Sequence, residues 1–284
     1  MIRLASDIHL EFYLNSVLSE GNEVLENLIN DIFTPMDTDK DTVLVLAGDI
    51  LLIKQFQHFK YFFEKLSSKF KTVLWVFGNH EWFKATINKK TVDNLKNELK
   101  YLENIHILNN DTFEDDNYIF IGSTLWSDLK KGDYLTALDV AKVSHDYKKI
   151  TFQEGANYSK LRPRHVSKMF MDNESFIFSA LNKFKDSVKK KVVVTHHPPT
   201  IKAIPDYIKE NPDFWSDFGN VNFDKFIENN VMPDIWLHGH IHENQKLDVM
   251  GLPILSNTWG YNDVKSDGSS YLNDGFESTF FLKI

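Results

Sequence analysis

An α/β fold is what this sequence predicts, and three observations predict it. Short runs rich in Val, Ile, Leu and aromatic residues alternate with stretches of helical periodicity. Neither an internal repeat nor a low-complexity linker interrupts that alternation. The length of 284 residues suits one large α/β domain or two small ones, and 42% hydrophobic content lets the chain bury a sizeable core; without a linker it is read as a single domain over residues 1–284.

The first strand is Ile2–Ala5, followed by a helix over Val24–Phe33, where apolar residues recur at three- and four-residue spacing. A second strand over Thr42–Ala47 leads to an amphipathic stretch at Phe56–Leu66. The third strand, Thr72–Phe77, precedes a polar helix over Thr91–Leu102 and two short runs, Ile105–Leu108 and Tyr118–Ile121. From 128 to 190 the alternation breaks, and this segment reads as a mostly helical insertion or cap, with Glu174–Phe184 its clearest helix. Strands resume at Lys191–Thr195 and Asp234–Leu237. Gln245–Val249, Ile254–Ser256 and Ser278–Leu282 then read as an antiparallel meander.

Composition narrows the function. The net charge of −8 argues against a broad basic face for duplex nucleic acid. With no cysteine, disulfides, thiolate metal ligands and a cysteine nucleophile are excluded. No apolar run is long enough to span a bilayer and no leader follows Met1, so a cytoplasmic protein without a membrane partner is expected.

The chemistry lies at the strand ends. Asp7 and His9 follow the first strand, Asp49 the second, and Asn79, His80 and Glu81 the third. His196 and His197 follow the strand at Lys191–Thr195, and His238, Gly239, His240 and His242 close the next. An Asp after a strand is often a turn or cap residue, and a lone His is often a hydrogen-bonded core group. Five such ends together are different, because α/β sheets bind ligands beyond the carboxyl ends of their strands. The mixture of carboxylate, amide and imidazole suits Mn, Fe, Zn, Co or Ni better than Ca or Mg alone. There are donors enough for two divalent ions, and two ions ~3.5–4 Å apart can clamp a phosphoryl group and activate a hydroxide that bridges them.

At this point the sequence resembles the calcineurin-like metallophosphoesterases, whose motifs run DxH, GD, GNH(E/D), H and GHxH. All five occur here in order, as Asp7-Ile8-His9, Gly48-Asp49, Gly78-Asn79-His80-Glu81, His196 and Gly239-His240-Ile241-His242. The resemblance implies two β-sheets packed face to face with helices outside. It implies that Asp7, His9 and His242 hold one metal, that Asn79, His196 and His240 hold the other, and that Asp49 bridges them. Manganese is the expected ion. His80 is implied to face the leaving group as the catalytic residue. His238 lies outside the motif; His196 is taken over His197 because the first histidine of such a pair is the usual ligand. His58, His106, His145 and His165 match no motif.

Absences choose among the relatives. The arginines that accompany GD and GNH in protein Ser/Thr phosphatases are missing, and Leu52 stands where purple acid phosphatases carry tyrosine. The motifs look more like bacterial and phage phosphodiesterases, including the class III cyclic-nucleotide enzymes. The expected reaction is hydrolysis of a small or nucleotide-type phosphodiester. The alternatives are a monoesterase acting on nucleotides or single-stranded nucleic-acid ends and, more remotely, a non-catalytic scaffold, which ligand loss would mark and which no missing ligand supports. Lys160, Arg162, Arg164 and Lys168 in the insertion form a basic run, from which Arg162 and Arg164 are expected to grip a distal phosphate, although such runs are usually solvated faces. Trp259 and Tyr261, in a loop with Asn257, are expected to stack on a base, although aromatic residues beside a loop are more often core edge.

Overall fold

The computed structural model describes residues 1–210, 220, 224–264 and 270–283. In chain order its strands are β1 (Ile2–Ala5), β2 (Val43–Ala47), β3 (Thr72–Val76), β4 (Thr86–Ile87), β5 (Ile105–Ile107), β6 (Asp111–Glu114), β7 (Tyr118–Ser123), β8 (Thr151–Glu154), β9 (Asn157–Lys160), β10 (Lys190–Thr195), β11 (Ile235–His238), β12 (Gln245–Val249), β13 (Leu252–Ser256), β14 (Gly260–Val264) and β15 (Ser270–Leu272).

One sheet runs β1-β2-β3-β5, parallel throughout. The other runs β12-β13-β11-β10-β7-β6; its four inner strands are parallel and its two edge strands antiparallel. Strand periodicity explains how the sheets join. Val43, Val45 and Ala47 on β2 pack with Ile2, Leu4, Leu74 and Val76 against Phe120, Val192, Val194, Ile235 and Leu237 of the other sheet. The alternate residues Leu44 and Leu46 face a second core shared with the outer helices. Both faces of these strands are therefore buried, which is why their sequences read as continuous apolar runs. Each such side chain contributes roughly 1.5–3 kcal/mol through burial.

The segment 128–190 contains the helices Tyr134–Val143 and Pro163–Lys183, and also a hairpin, β8–β9, that joins β4 in a small sheet. The hairpin carries no alternating apolar signal because its residues are mostly exposed or half-buried. Two strand expectations need correction. Ser278–Leu282 is not a strand; its pairing is the single bridge Ile2–Leu282. The closing group is not a simple meander, because β13 runs parallel to β11 while β14 and β15 form a separate hairpin. Among the described residues no helix is long and apolar enough to cross a membrane.

Candidate metal centre

Each motif turns sharply where its strand ends. Among the described non-glycine residues with positive φ are Asp7 at 54°, His9 at 51°, Asp49 at 55°, His240 at 71° and His242 at 56°. A left-handed residue other than glycine costs roughly 1–2 kcal/mol, and such strain persists only where surrounding structure over-determines it. Here the loops hold one another. Asp7 N donates to Gly48 O at 2.9 Å, His9 N to Asp49 O at 3.0 Å and Gly239 N to His196 O at 3.0 Å. Gly78 is needed for close approach, since a Cβ there would strike Asp49 Oδ1 and the His196 ring.

Glu81 locks two of these loops from beneath. Its carboxylate is fully buried and accepts from Asp49 N (2.9 Å), Gly78 N (2.7 Å), Ile50 N (2.8 Å) and Trp75 Nε1 (3.2 Å). Burial and the Asp49 charge push its pKa up to about 8, against the pull of those donors.

The side chains that result form two adjoining sets. Asp7, His9 and His242 bring one ligand atom each within 4.8 Å of one another, and Asp49, His196 and His240 do the same. Asp49 serves both sets: its Oδ2 lies 3.9 Å from His9 Nε2 and its Oδ1 3.4 Å from His196 Nε2. Asn79 Oδ1 lies 3.1 Å from His196 Nε2. His80 forms a third grouping with His9 and Asp49, but its Nδ1 is engaged with Glu11 Oε1 at 2.9 Å.

The donor set fits divalent ions. His196 Nδ1 lies 3.0 Å from Ala47 O, which assigns the proton to Nδ1 and leaves a lone pair on Nε2. That lone pair faces Asn79 Oδ1, another acceptor, and His9 Nε2 faces His242 Nε2 at 3.2 Å. Acceptors converging at such distances are reconciled by a cation between them, or by protons. Burial lowers the His196 pKa, yet the charge and hydrogen bond of Asp49 outweigh this and raise it to about 10. The pocket therefore demands positive charge.

Two residues orient this set from outside. Asn79 Nδ2 donates to Asp146 Oδ1 at 2.9 Å, which turns the amide oxygen toward His196. Burial pushes Asp146 up to about 6. Glu11 Oε1 lies 3.2 Å from His9 Nδ1 as well as 2.9 Å from His80 Nδ1. Burial would raise the Glu11 pKa, but its bonds to His80 and His9 hold it at about 2. The His80 pKa is raised: burial opposes this, and the Asp49 charge and the Glu11 bond prevail.

A cleft of about 720 Å³ opens above the centre, lined by Asp49, Asn79, His80, His240 and His242 on its floor and by Phe12, Phe83, His145, Lys149, Tyr207 and Tyr261 on its walls. Tyr261 packs on the centre, its ring 4.4 Å from both His9 and His242. The other expected substrate contacts lie elsewhere. Arg164 pairs with Glu154 at 3.2 Å on the exposed hairpin and, with Arg162, lines no part of this cleft. Trp259 is taken up in packing, donating to the Tyr13 hydroxyl at 3.1 Å and meeting Phe276 edge-on at 5.0 Å. His197 and His238 are buried outside the three groups. Glu11, Asp146 and Lys149 were not singled out by sequence; only Glu11, two residues beyond His9, carried a usable signal.

The sequence profile of the calcineurin-like phosphoesterases matches residues 2–244. The chain belongs to that family. An uncharacterized protein of Acanthamoeba polyphaga mimivirus is 28% identical over 285 residues, spanning 95% of each chain. In fold the chain is similar to phosphopantetheinyl hydrolase from Mycobacterium tuberculosis, with a TM-score of 0.64 at 16% identity over 92% of this chain and 89% of that one. A dimetal phosphatase from Danio rerio aligns with a TM-score of 0.48 at 11% identity, over 90% of this chain and 86% of that one. Family membership makes the protein a metal-dependent hydrolase of phosphoric esters, and the His/Asp groups at the strand ends are its candidate sites for divalent ions.

Proposed function

We propose that this protein is a two-metal phosphodiesterase acting on small or nucleotide-type substrates. The observation that carries the reading is Asp49, which turns one carboxylate oxygen toward each histidine set at the floor of a cleft about 720 Å³ in volume. Asp7, His9 and His242 would hold one ion, Asn79, His196 and His240 the other, and Asp49 both. Manganese suits this mixture of hard oxygens and imidazoles. Two such ions supply Lewis acidity toward the phosphoryl oxygens and make a water nucleophile available near neutral pH.

The protein's own residues do the rest. His80 presents Nε2 to the cleft because Nδ1 is held by Glu11, and it hands a proton to the departing oxygen. Asp146 keeps the Asn79 amide oxygen toward the centre. Phe12, Phe83 and Tyr261 form walls that limit water. A diester fits this surround better than a monoester. It carries one charge and two substituents, and no arginine among the described residues lines the cleft to take a third anionic oxygen.

The test is a kinetic screen of manganese-reconstituted protein against cyclic nucleotides, linear diesters and monoesters, with metal content measured alongside. Diesters should exceed monoesters in kcat/KM by at least about tenfold, a difference of roughly 1.4 kcal/mol. A monoester preference would overturn the diester assignment, and fewer than two ions per chain would overturn the two-metal assignment.

A further inference from the structure

One wall of the cleft carries a group that the reaction at its floor does not use, Lys149. Phe83 lies against His80, the ring centroids 4.1 Å apart at 30°. Beyond it, Lys149 Nζ stands 4.7 Å from the Phe83 ring centroid. All three residues line the cleft, so an acid, an aromatic surface and a cation succeed one another from the floor outward. Backbone contacts fix the succession. Lys84 N donates to Lys149 O at 2.9 Å and Thr151 N to Ala85 O at 3.1 Å, which stitches the short helix Asp146–Lys149 to the turn after His80. At that turn Lys84 adopts a left-handed φ of 60°.

The cation is available. Lys142 and Lys168, elsewhere in the same segment, pair with Asp139 and Asp172. Lys149 is exposed and takes part in no ion pair within 4.0 Å among the described residues. His145 lies on the same rim, and its pKa is lowered, first by the Lys149 charge. The rim is therefore positive where the floor is already arranged for a phosphoryl group.

We infer that Phe83 and Lys149 form a subsite for a leaving group carrying its own phosphate, so that the substrate is a phosphodiester with a second phosphate on the leaving side, as in a phosphorylated nucleotide. The inference rests on the phosphodiesterase reading. The leaving oxygen sits at His80, the sugar or base lies along Phe83, and the second phosphate reaches Lys149. The segment 128–190 thereby contributes the selecting charge to a centre built by the sheets.

Binding tests this separately from turnover. Thymidine 3′,5′-bisphosphate and the two thymidine monophosphates are titrated into manganese-loaded, full-length protein by calorimetry. Wild type should bind the bisphosphate roughly five- to tenfold tighter than either monophosphate, the scale of one charge-assisted contact at a partly exposed site, and added salt should shrink the advantage. Lys149→Ala should reduce bisphosphate affinity to that of a monophosphate, while Lys149→Arg keeps most of the preference; manganese content confirms that both variants are folded. No preference in wild type, or a preference that survives Lys149→Ala, overturns the subsite. If the preference holds but no diester is hydrolysed, the subsite stands and the diester assignment falls.

Discussion

The loops at the ends of β1, β2, β3, β10 and β11 and the stretch Ser144–Lys149 meet at the same cleft, yet they are built differently. The loops are almost wholly buried, several of their residues are left-handed, and their backbone groups bond to one another and to Glu81. The stretch is a short helix with His145, Lys148 and Lys149 exposed, and only Asp146 reaches the centre. Metal ligands must be fixed closely, because donor atoms converging on one point tolerate little displacement. A group that selects substrate by charge works at longer range and can stay in water. On the proposed reading, rigid chemistry belongs to the strand-end loops and adaptable selection to the segment 128–190.

That division can be broken at several points. The largest effect is expected at Asp49, which both histidine sets share. Asp49→Asn should lower the metal content of both sites, read by elemental analysis, and cut hydrolysis by roughly 10⁴-fold as several kcal/mol of charge stabilisation disappear. Retention of two ions would mean that the sets are independent.

Next comes His80→Asn. It should keep both ions, cost about 10³-fold in kcat on a diester with an alkoxide leaving group, and cost little on a p-nitrophenyl diester, whose leaving group needs no proton. Equal losses on both substrates would remove the acid role. Asp146→Ala asks how far the segment 128–190 contributes to the centre. Losing the partner of Asn79 Nδ2 should weaken metal binding by roughly 10–100-fold, measured by chelator competition. An unaltered affinity would leave the segment 128–190 no part in metal binding. The smallest effect is expected at Arg164→Ala, where loss of the exposed pair with Glu154 should change KM on any substrate by less than about twofold. A large rise confined to nucleotide-sized substrates would return Arg164 to the binding surface.

How much of this was legible depends on the range of the contact. The core strands were readable because burial on both faces leaves an unbroken apolar run, as at Val43–Ala47. The β8–β9 hairpin was not, because an exposed strand pair leaves no hydrophobic period. The motif residues were readable because strands that end at one edge must bring their next residues together. By itself the sequence determined the α/β alternation, the strand ends that bear Asp, Asn and His, and the family. Only the tertiary structure decided which residues serve them. Glu11, bonded to His9, reaches His80 across 69 residues, and Asp146 reaches Asn79 across 67. Arg164, basic and near in sequence to the hairpin, turns to Glu154 instead of the cleft. Periodicity records whether a side chain is buried, not which distant side chain it meets, and that choice arises only when the strand-end loops and the segment 128–190 pack together.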